Sequence, residues 1–288
     1  MLMRSLTAIL TTLLFAASAV AASSMTVPLP ERAGSIVSAT GIRDDATAWI
    51  AIATPEPWRT EVLRVSPDGT RTRIAVPDGI VKDVQPLTDG RLALTVAEAG
   101  GPSFRVVDRD FRVQWSSRLL PARLFERAGE HLVRFSSDGS RWALLAFDDN
   151  RIAVTVGSTG SHVPETTTTL RADAGRPHGV YDSVDVAFTS PEDLAVLWRG
   201  RIYVLDKATT LAKTLAPAAG GAFLEYDAGS RTLWAFTPES ASAFRLDAQE
   251  RRPVSIGPGR QRRTGITSSR SGSAWLELRP GAVTVHRR

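Results

Sequence analysis

Four segments of this chain share one pattern, and it constrains the fold more than any other feature. Each is a turn rich in Asp, Ser and Gly followed by a strand-like run that carries an early tryptophan. They are Asp45-Ala-Thr-Ala-Trp49-Ile-Ala-Ile, Ser137-Asp-Gly-Ser-Arg-Trp142-Ala-Leu-Leu, Ala228-Gly-Ser-Arg-Thr-Leu-Trp234-Ala-Phe and Ser271-Gly-Ser-Ala-Trp275-Leu-Glu-Leu. In Thr88-Asp-Gly-Arg-Leu-Ala-Leu94 a leucine takes the tryptophan's place, and in Pro191-Glu-Asp-Leu-Ala-Val-Leu-Trp198 the tryptophan comes later. A second run recurs beside them: Val62-Leu-Arg-Val65-Ser-Pro-Asp68-Gly69, Phe104-Arg-Val-Val-Asp108, Ile202-Tyr-Val-Leu-Asp206 and Phe244-Arg-Leu-Asp247. Each of these ends on Asp or Asp-Gly, as hairpin strands do, because Asp bonds back to its own turn and Gly tolerates positive φ. After residue 30 no long stretch has the 3–4–7 apolar spacing of a helix, so the chain is read as strands throughout.

Inner strands are expected near residues 35, 82, 131, 183, 222 and 265, a period of about 40–50 residues. That spacing suits four antiparallel strands per unit, arranged as blades around a central channel. The last unit, Gly265 to Arg288, has room for three strands only, while Ser24–Pro30 is a strand-like piece left over at the other end. Together they make one whole blade, which closes the ring and removes its open sheet edges. The expectation is an all-β propeller of six four-stranded blades, or seven if the connection from Gly157 to Val180 holds further strands. Trp49, Trp142, Trp198, Trp234 and Trp275 are assigned to packing between blades.

On these motifs the chain resembles the broad β-propeller superfamily over nearly all of residues 22–288, read as a single domain. Ile202–Asp206 with the following Lys-Ala-Thr-Thr-Leu-Ala-Lys-Thr-Leu is similar to the outer hairpin of NHL-type and quinoprotein-type propellers. Ser66-Pro-Asp-Gly69 is similar to turns of TolB-type repeats. No Trp-Asp dipeptide occurs, so any WD40-like character is one of architecture. In Ser136-Ser-Asp-Gly-Ser-Arg-Trp142 the Asp and Gly are adjacent, whereas the sialidase Asp-box separates them. Asp108-Arg-Asp-Phe-Arg-Val-Gln-Trp115 resembles the tryptophan repeat of pyrroloquinoline-quinone enzymes but occurs once, and with no cysteine in the chain the vicinal pair of the alcohol dehydrogenases is absent. What the resemblance implies is a fold shared by many functions.

Met1–Arg4 is a positive start, Leu6–Val20 an apolar run too short for a bilayer span, and Ala19-Val20-Ala21 a signal-peptidase pattern. Residues 1–21 are therefore read as a signal peptide, with export to the bacterial periplasm or medium. The absence of cysteine fits a core large enough to need no disulfide. The excess of 35 Lys+Arg over 30 Asp+Glu is almost wholly arginine, Lys82, Lys207 and Lys213 being the lysines, and it is spread along the chain. Nucleic-acid binders cluster such charge, so nucleic acid is not expected as a partner.

Two sets of candidate residues emerge. Asp83 with Gln85, His131, Asp185 and Glu225 fall near the starts of four inner strands, where alternation can turn side chains into the channel. They are either polar lining or ligands for Ca²⁺ or another divalent metal, as in propellers of the lactonase type. A binding face is suggested by Trp58 on a proline-rich loop, by Arg176, His178 and Asp182 in a long Gly/Pro-containing loop, and by Arg260, Arg262 and Arg263 in the loop before the last inner strand. His286 is read as a surface residue. No Gly-x-Ser-x-Gly, P-loop or His-Glu-x-x-His motif is present. The reading favoured is an exported, monomeric, non-catalytic scaffold that binds a protein or cell-envelope component and needs no cofactor. A metal-dependent hydrolase or lyase and a quinone-cofactor dehydrogenase are the alternatives.

Overall fold

The computed structural model describes residues 23–287 except 31–33, 56–58, 77–78, 119–132, 148–150, 162–163, 172–183, 191, 199, 207–210, 216–222, 228–230, 237–240, 247–249, 255–265 and 270–272. Among these residues twenty-four strands form six antiparallel four-stranded sheets. Blade 1 is β2 (Ile36–Ile42), β3 (Ala48–Thr54), β4 (Arg59–Val65) and β5 (Arg71–Val76); blade 2 is β6 (Ile80–Pro86), β7 (Leu92–Glu98), β8 (Gly101–Val107) and β9 (Val113–Ser117). Blade 3 is β10 (Val133–Phe135), β11 (Arg141–Phe147), β12 (Arg151–Ser158) and β13 (Pro164–Arg171); blade 4 is β14 (Asp185–Phe188), β15 (Leu194–Trp198), β16 (Arg201–Leu205) and β17 (Leu211–Leu215). Blade 5 is β18 (Phe223–Asp227), β19 (Thr232–Phe236), β20 (Ala241–Arg245) and β21 (Glu250–Val254). Blade 6 is β22 (Ile266–Ser268), β23 (Ala274–Arg279) and β24 (Ala282–Arg287), completed by β1 (Ser23–Pro28).

The architecture is a six-bladed β-propeller. The connection that left a seventh blade open carries β13, which pairs with β12 as the fourth strand of blade 3. The ring closes as expected: β1 lies antiparallel to β24, from Ser23 opposite Arg287 to Pro28 opposite Ala282, and Val27 is fully buried there.

The turns form as their residues dictate. In Ser66–Thr70, Leu87–Arg91 and Ser136–Ser140 an Asp Oδ1 accepts the N–H two residues on, from Asp68, Asp89 and Asp138. A glycine then takes positive φ: Gly69 at +86°, Gly90 at +87° and Gly139 at +67°. This is the three-residue hairpin in which a left-handed residue follows a tight turn.

The cores lie between blades. Trp49 and Val62 of blade 1 pack with Val81, Leu92 and Leu94 of blade 2. Trp142 joins Phe104 and Trp115 of blade 2, and Trp198 meets Leu145 and Val154 of blade 3. Second strands are sandwiched on both faces, which is why Leu194–Trp198 is a continuous apolar run rather than an alternating one. Trp49, Trp142 and Trp198 thus fill the expected role. Trp234 and Trp275 are only half-buried. Trp275 stacks on His286 (centroids 4.7 Å), whose Nε2 lies 3.2 Å from Glu277 Oε2, so His286 is part of blade 6's packing rather than a free surface residue. Blades are also tied by polar contacts: the buried Thr60 hydroxyl donates to the Gly79 carbonyl (3.0 Å) and accepts from the Val81 N–H (2.9 Å).

Candidate functional site

All six inner strands contribute to a channel cavity of about 200 Å³. Thr40, Asp83, Arg134, Asp185, Glu225 and Thr267 line it, one from each of β2, β6, β10, β14, β18 and β22. Alternation positions them: Val133 and Phe135 are buried between blades, so Arg134 between them turns to the channel.

These groups bond to one another around the ring. Arg134 Nη1 donates to Asp83 Oδ2 at 2.9 Å, and Nη2 lies 3.5 Å from Asp185 Oδ1. Burial works against the guanidinium's charge, but Asp83 and Asp185 outweigh it and hold the Arg134 pKa above its ordinary value. Asp185 is buried, and its Oδ2 accepts the Leu224 N–H of the next blade (2.9 Å). Gln85 acts likewise between blades 2 and 3: its Nε2 donates to the Phe135 carbonyl (2.7 Å) and its Oε1 accepts the Phe135 N–H (3.0 Å). A Thr40–Thr267 hydroxyl bond joins blades 1 and 6. At Gly41 the neighbouring inner strand leaves no room for a side chain, since a Cβ there would stand 2.7 Å from the Val84 carbonyl oxygen.

The structure brings Asp83, Gln85, Asp185 and Glu225 to one cavity. His131, Trp58, Arg176, His178, Asp182, Arg260, Arg262 and Arg263 lie outside the described residues. Arg134, Thr40 and Thr267 are the members that sequence reasoning missed, and Arg134 is the charged one. Its signal was local: a single charged residue between two large apolar ones in Val133-Arg-Phe135.

The donor set does not have the form of a cation site among the described residues. The place between the two carboxylates that a metal ion would take is held by a guanidinium, and among the described residues no three His, Asp or Glu side chains gather around one point. What this arrangement does is neutralise charge and lock inner strands together.

No protein-family model matches the chain, and no curated protein matches it. Solved structures do. A streptogramin B lyase structure is similar with a TM-score of 0.55 at 11% identity, covering 93% of this chain and 87% of that one. A chain of a mitotic checkpoint complex has a TM-score of 0.51 at 16% identity, covering 92% and 93%. A catalytically inactive variant of virginiamycin B lyase from Staphylococcus aureus, solved with quinupristin, has a TM-score of 0.50 at 10% identity, covering 93% and 99%. At such identities the likeness is one of fold, and it places this chain among the β-propellers.

Proposed function

We propose that the chain is an exported, non-catalytic β-propeller that serves as a binding scaffold for a protein or a cell-envelope component. The observation that supports this most is Arg134 lodged between Asp83 and Asp185. Those carboxylates are the channel groups best placed for metal-assisted or acid–base chemistry, and they are spent on an internal ion pair. Binding then falls to the loops. Trp58, the Arg176–Asp182 segment and Arg260–Arg263 belong to connections between second and third strands or leading into inner strands. The antiparallel order of the blades brings the strand ends flanking such connections to one end of the ring. Aromatic and arginine side chains suit a protein or anionic envelope surface. Cleavage after Ala21 would leave the whole of β1, which begins at Ser23, to close the ring. One similar structure is a propeller within a multiprotein complex, a use of the fold in keeping with this reading.

The test is cross-linking in the exporting cell, comparing the natural chain with the double variant Arg262→Glu, Arg263→Glu. Capture of a defined envelope partner by the natural chain and its loss in the variant is the expected result. Parallel melts after EDTA and with Ca²⁺, Mg²⁺ or Zn²⁺ added are expected to coincide. Metal at about ten times its dissociation constant would add about 1.4 kcal/mol by mass action, and a saturable shift of that kind abolished by Asp185→Ala would overturn the reading in favour of a metal-dependent enzyme.

A further inference from the structure

On the opposite side of the ring, between blades 1 and 2, the β2–β3, β6–β7 and β8–β9 turns surround a second recess of about 290 Å³. Three arginines line it, Arg43, Arg64 and Arg109, with Asp45 and Asp108 as the acids and Phe111 in its wall. The acids are engaged by their own turns. Asp45 Oδ1 accepts the Thr47 N–H at 2.9 Å, and its Oδ2 is 3.9 Å from Arg43 Nε. Asp108 Oδ1 accepts the N–H groups of Asp110 and Arg112, both at 2.9 Å, and Oδ2 accepts Gln114 Nε2 at 2.9 Å.

Arg43 has that one long approach to Asp45, and Arg64 and Arg109 have no carboxylate partner among the described residues. Arg109 donates to the Asp89 carbonyl at 3.2 Å and lies over Gly90, where a Cβ would stand 2.5 Å from its Nε. Arg64, opposite Trp49 in the β3–β4 register, has a buried Nε with no hydrogen-bond partner and no ion pair among the described residues. A guanidinium has five N–H donors and no way to shed its charge, so leaving it half-buried and unpartnered is costly unless something supplies acceptors. Two of the three turns at this recess share with Arg231 (φ 51°) a positive φ at a residue other than glycine. They place Ala46 (φ 67°) and Phe111 (φ 62°) in the left-handed position where the turns ending at Thr70, Arg91 and Ser140 place glycine. Non-glycine residues held this way cluster where a site must be shaped.

We propose that this recess binds a phosphoryl group, as free phosphate or a small phosphomonoester, with Arg64 at its centre and Arg43 and Arg109 at its rim. Three guanidiniums offer more donors than one carboxylate can accept, while a phosphoryl group presents three terminal oxygens and two negative charges. The site is independent of the loop face proposed above.

Calorimetric titration of the purified protein with inorganic phosphate, at constant ionic strength in chloride, tests it. One saturable site is expected, weakened at least about tenfold by Arg64→Met, a loss of about 1.4 kcal/mol. Arg59→Met removes the same charge from the far end of β4 and is expected to bind as the natural chain does. Arg64→Lys keeps the charge without the fork and should fall between. Arg64→Met should also melt no lower than the natural chain in phosphate-free buffer, because it removes an unpartnered guanidinium, whereas loss of a merely structural arginine would lower the midpoint. Glycerol phosphate binding more tightly than phosphate assigns a phosphomonoester, and equal binding assigns the free ion. Absence of a saturable heat with either probe, or equal affinity of Arg64→Met and the natural chain, overturns the proposal. Should Arg64→Met not fold, Arg109→Met decides it: unchanged affinity there overturns it, and loss supports it.

Discussion

Replacing Arg134 by Met removes the one cation shared by Asp83 and Asp185, and the cost can be worked out contact by contact. The Arg134–Asp83 pair is 2.9 Å long, but both side chains are about a third exposed (32% and 31%). Solvent screens such a pair to about 0.5 kcal/mol. Asp185 is different: its side chain is 7% exposed, so without Arg134 a buried carboxylate is left, among the described residues, with the Val186 and Leu224 N–H donors. Leaving a charge so poorly compensated costs about 2–3 kcal/mol. The single variant should therefore lose about 3 kcal/mol of stability, summing those two estimates. Asp185→Asn removes the charge but keeps an oxygen to accept the Leu224 N–H, for a loss of about 1 kcal/mol. In the double variant Arg134→Met should add only the screened Asp83 contribution, so the two changes couple by about 2 kcal/mol. Urea denaturation of the four proteins reads this directly. Single losses that add within about 0.5 kcal/mol would refute the view that Arg134 stabilises Asp185.

Two other perturbations probe blade packing and charge. Gly41→Ala places a methyl 2.7 Å from the Val84 carbonyl and 3.1 Å from Pro86 Cδ, both on the neighbouring inner strand; overpacking there should cost about 1–3 kcal/mol in a urea midpoint. Glu98 is buried, which by itself raises its pKa, but the Ser103 hydroxyl and the Arg105 and Arg118 guanidiniums outweigh burial and hold it below the usual 4.5. A lowered carboxylate pKa contributes stability above the unfolded value that is lost as pH falls through the folded one. The stability gap between the natural chain and Glu98→Gln should thus be constant from pH 7 to about 5 and shrink below 4.5; a gap that widened on acidification would contradict the assignment.

The inner-strand starts were legible to within a few residues: near 35, 82, 131, 183, 222 and 265 against 36, 80, 133, 185, 223 and 266. Asp-Gly punctuation marks strand ends because it encodes a local backbone conformation, and local conformation needs no knowledge of the rest of the chain. The same logic found β1, since a strand with no partner nearby must pair with the one blade lacking a fourth strand. Trp234 and Trp275 show the limit of the repeat: the motif placed them on second strands correctly, but how deeply a ring is covered depends on the neighbouring blade. In the channel, the acids were visible as isolated polar residues near inner-strand starts. Arg134 was not, because its partners stand 51 residues away in each direction.

By itself, then, the order of residues determined the strands, their grouping in fours and the closure between the two ends of the chain, all of which follow from turn chemistry and apolar runs a few residues long. Only the tertiary structure decided what the polar residues do. Ring curvature sets Arg134 between two carboxylates and leaves Arg64 at a recess where no carboxylate of the described residues is in bonding reach, so the same chemical group is a structural tie in one place and an unpaired donor in the other. Electrostatic energy depends on distance and burial, which arise only when strands remote in sequence are brought side by side.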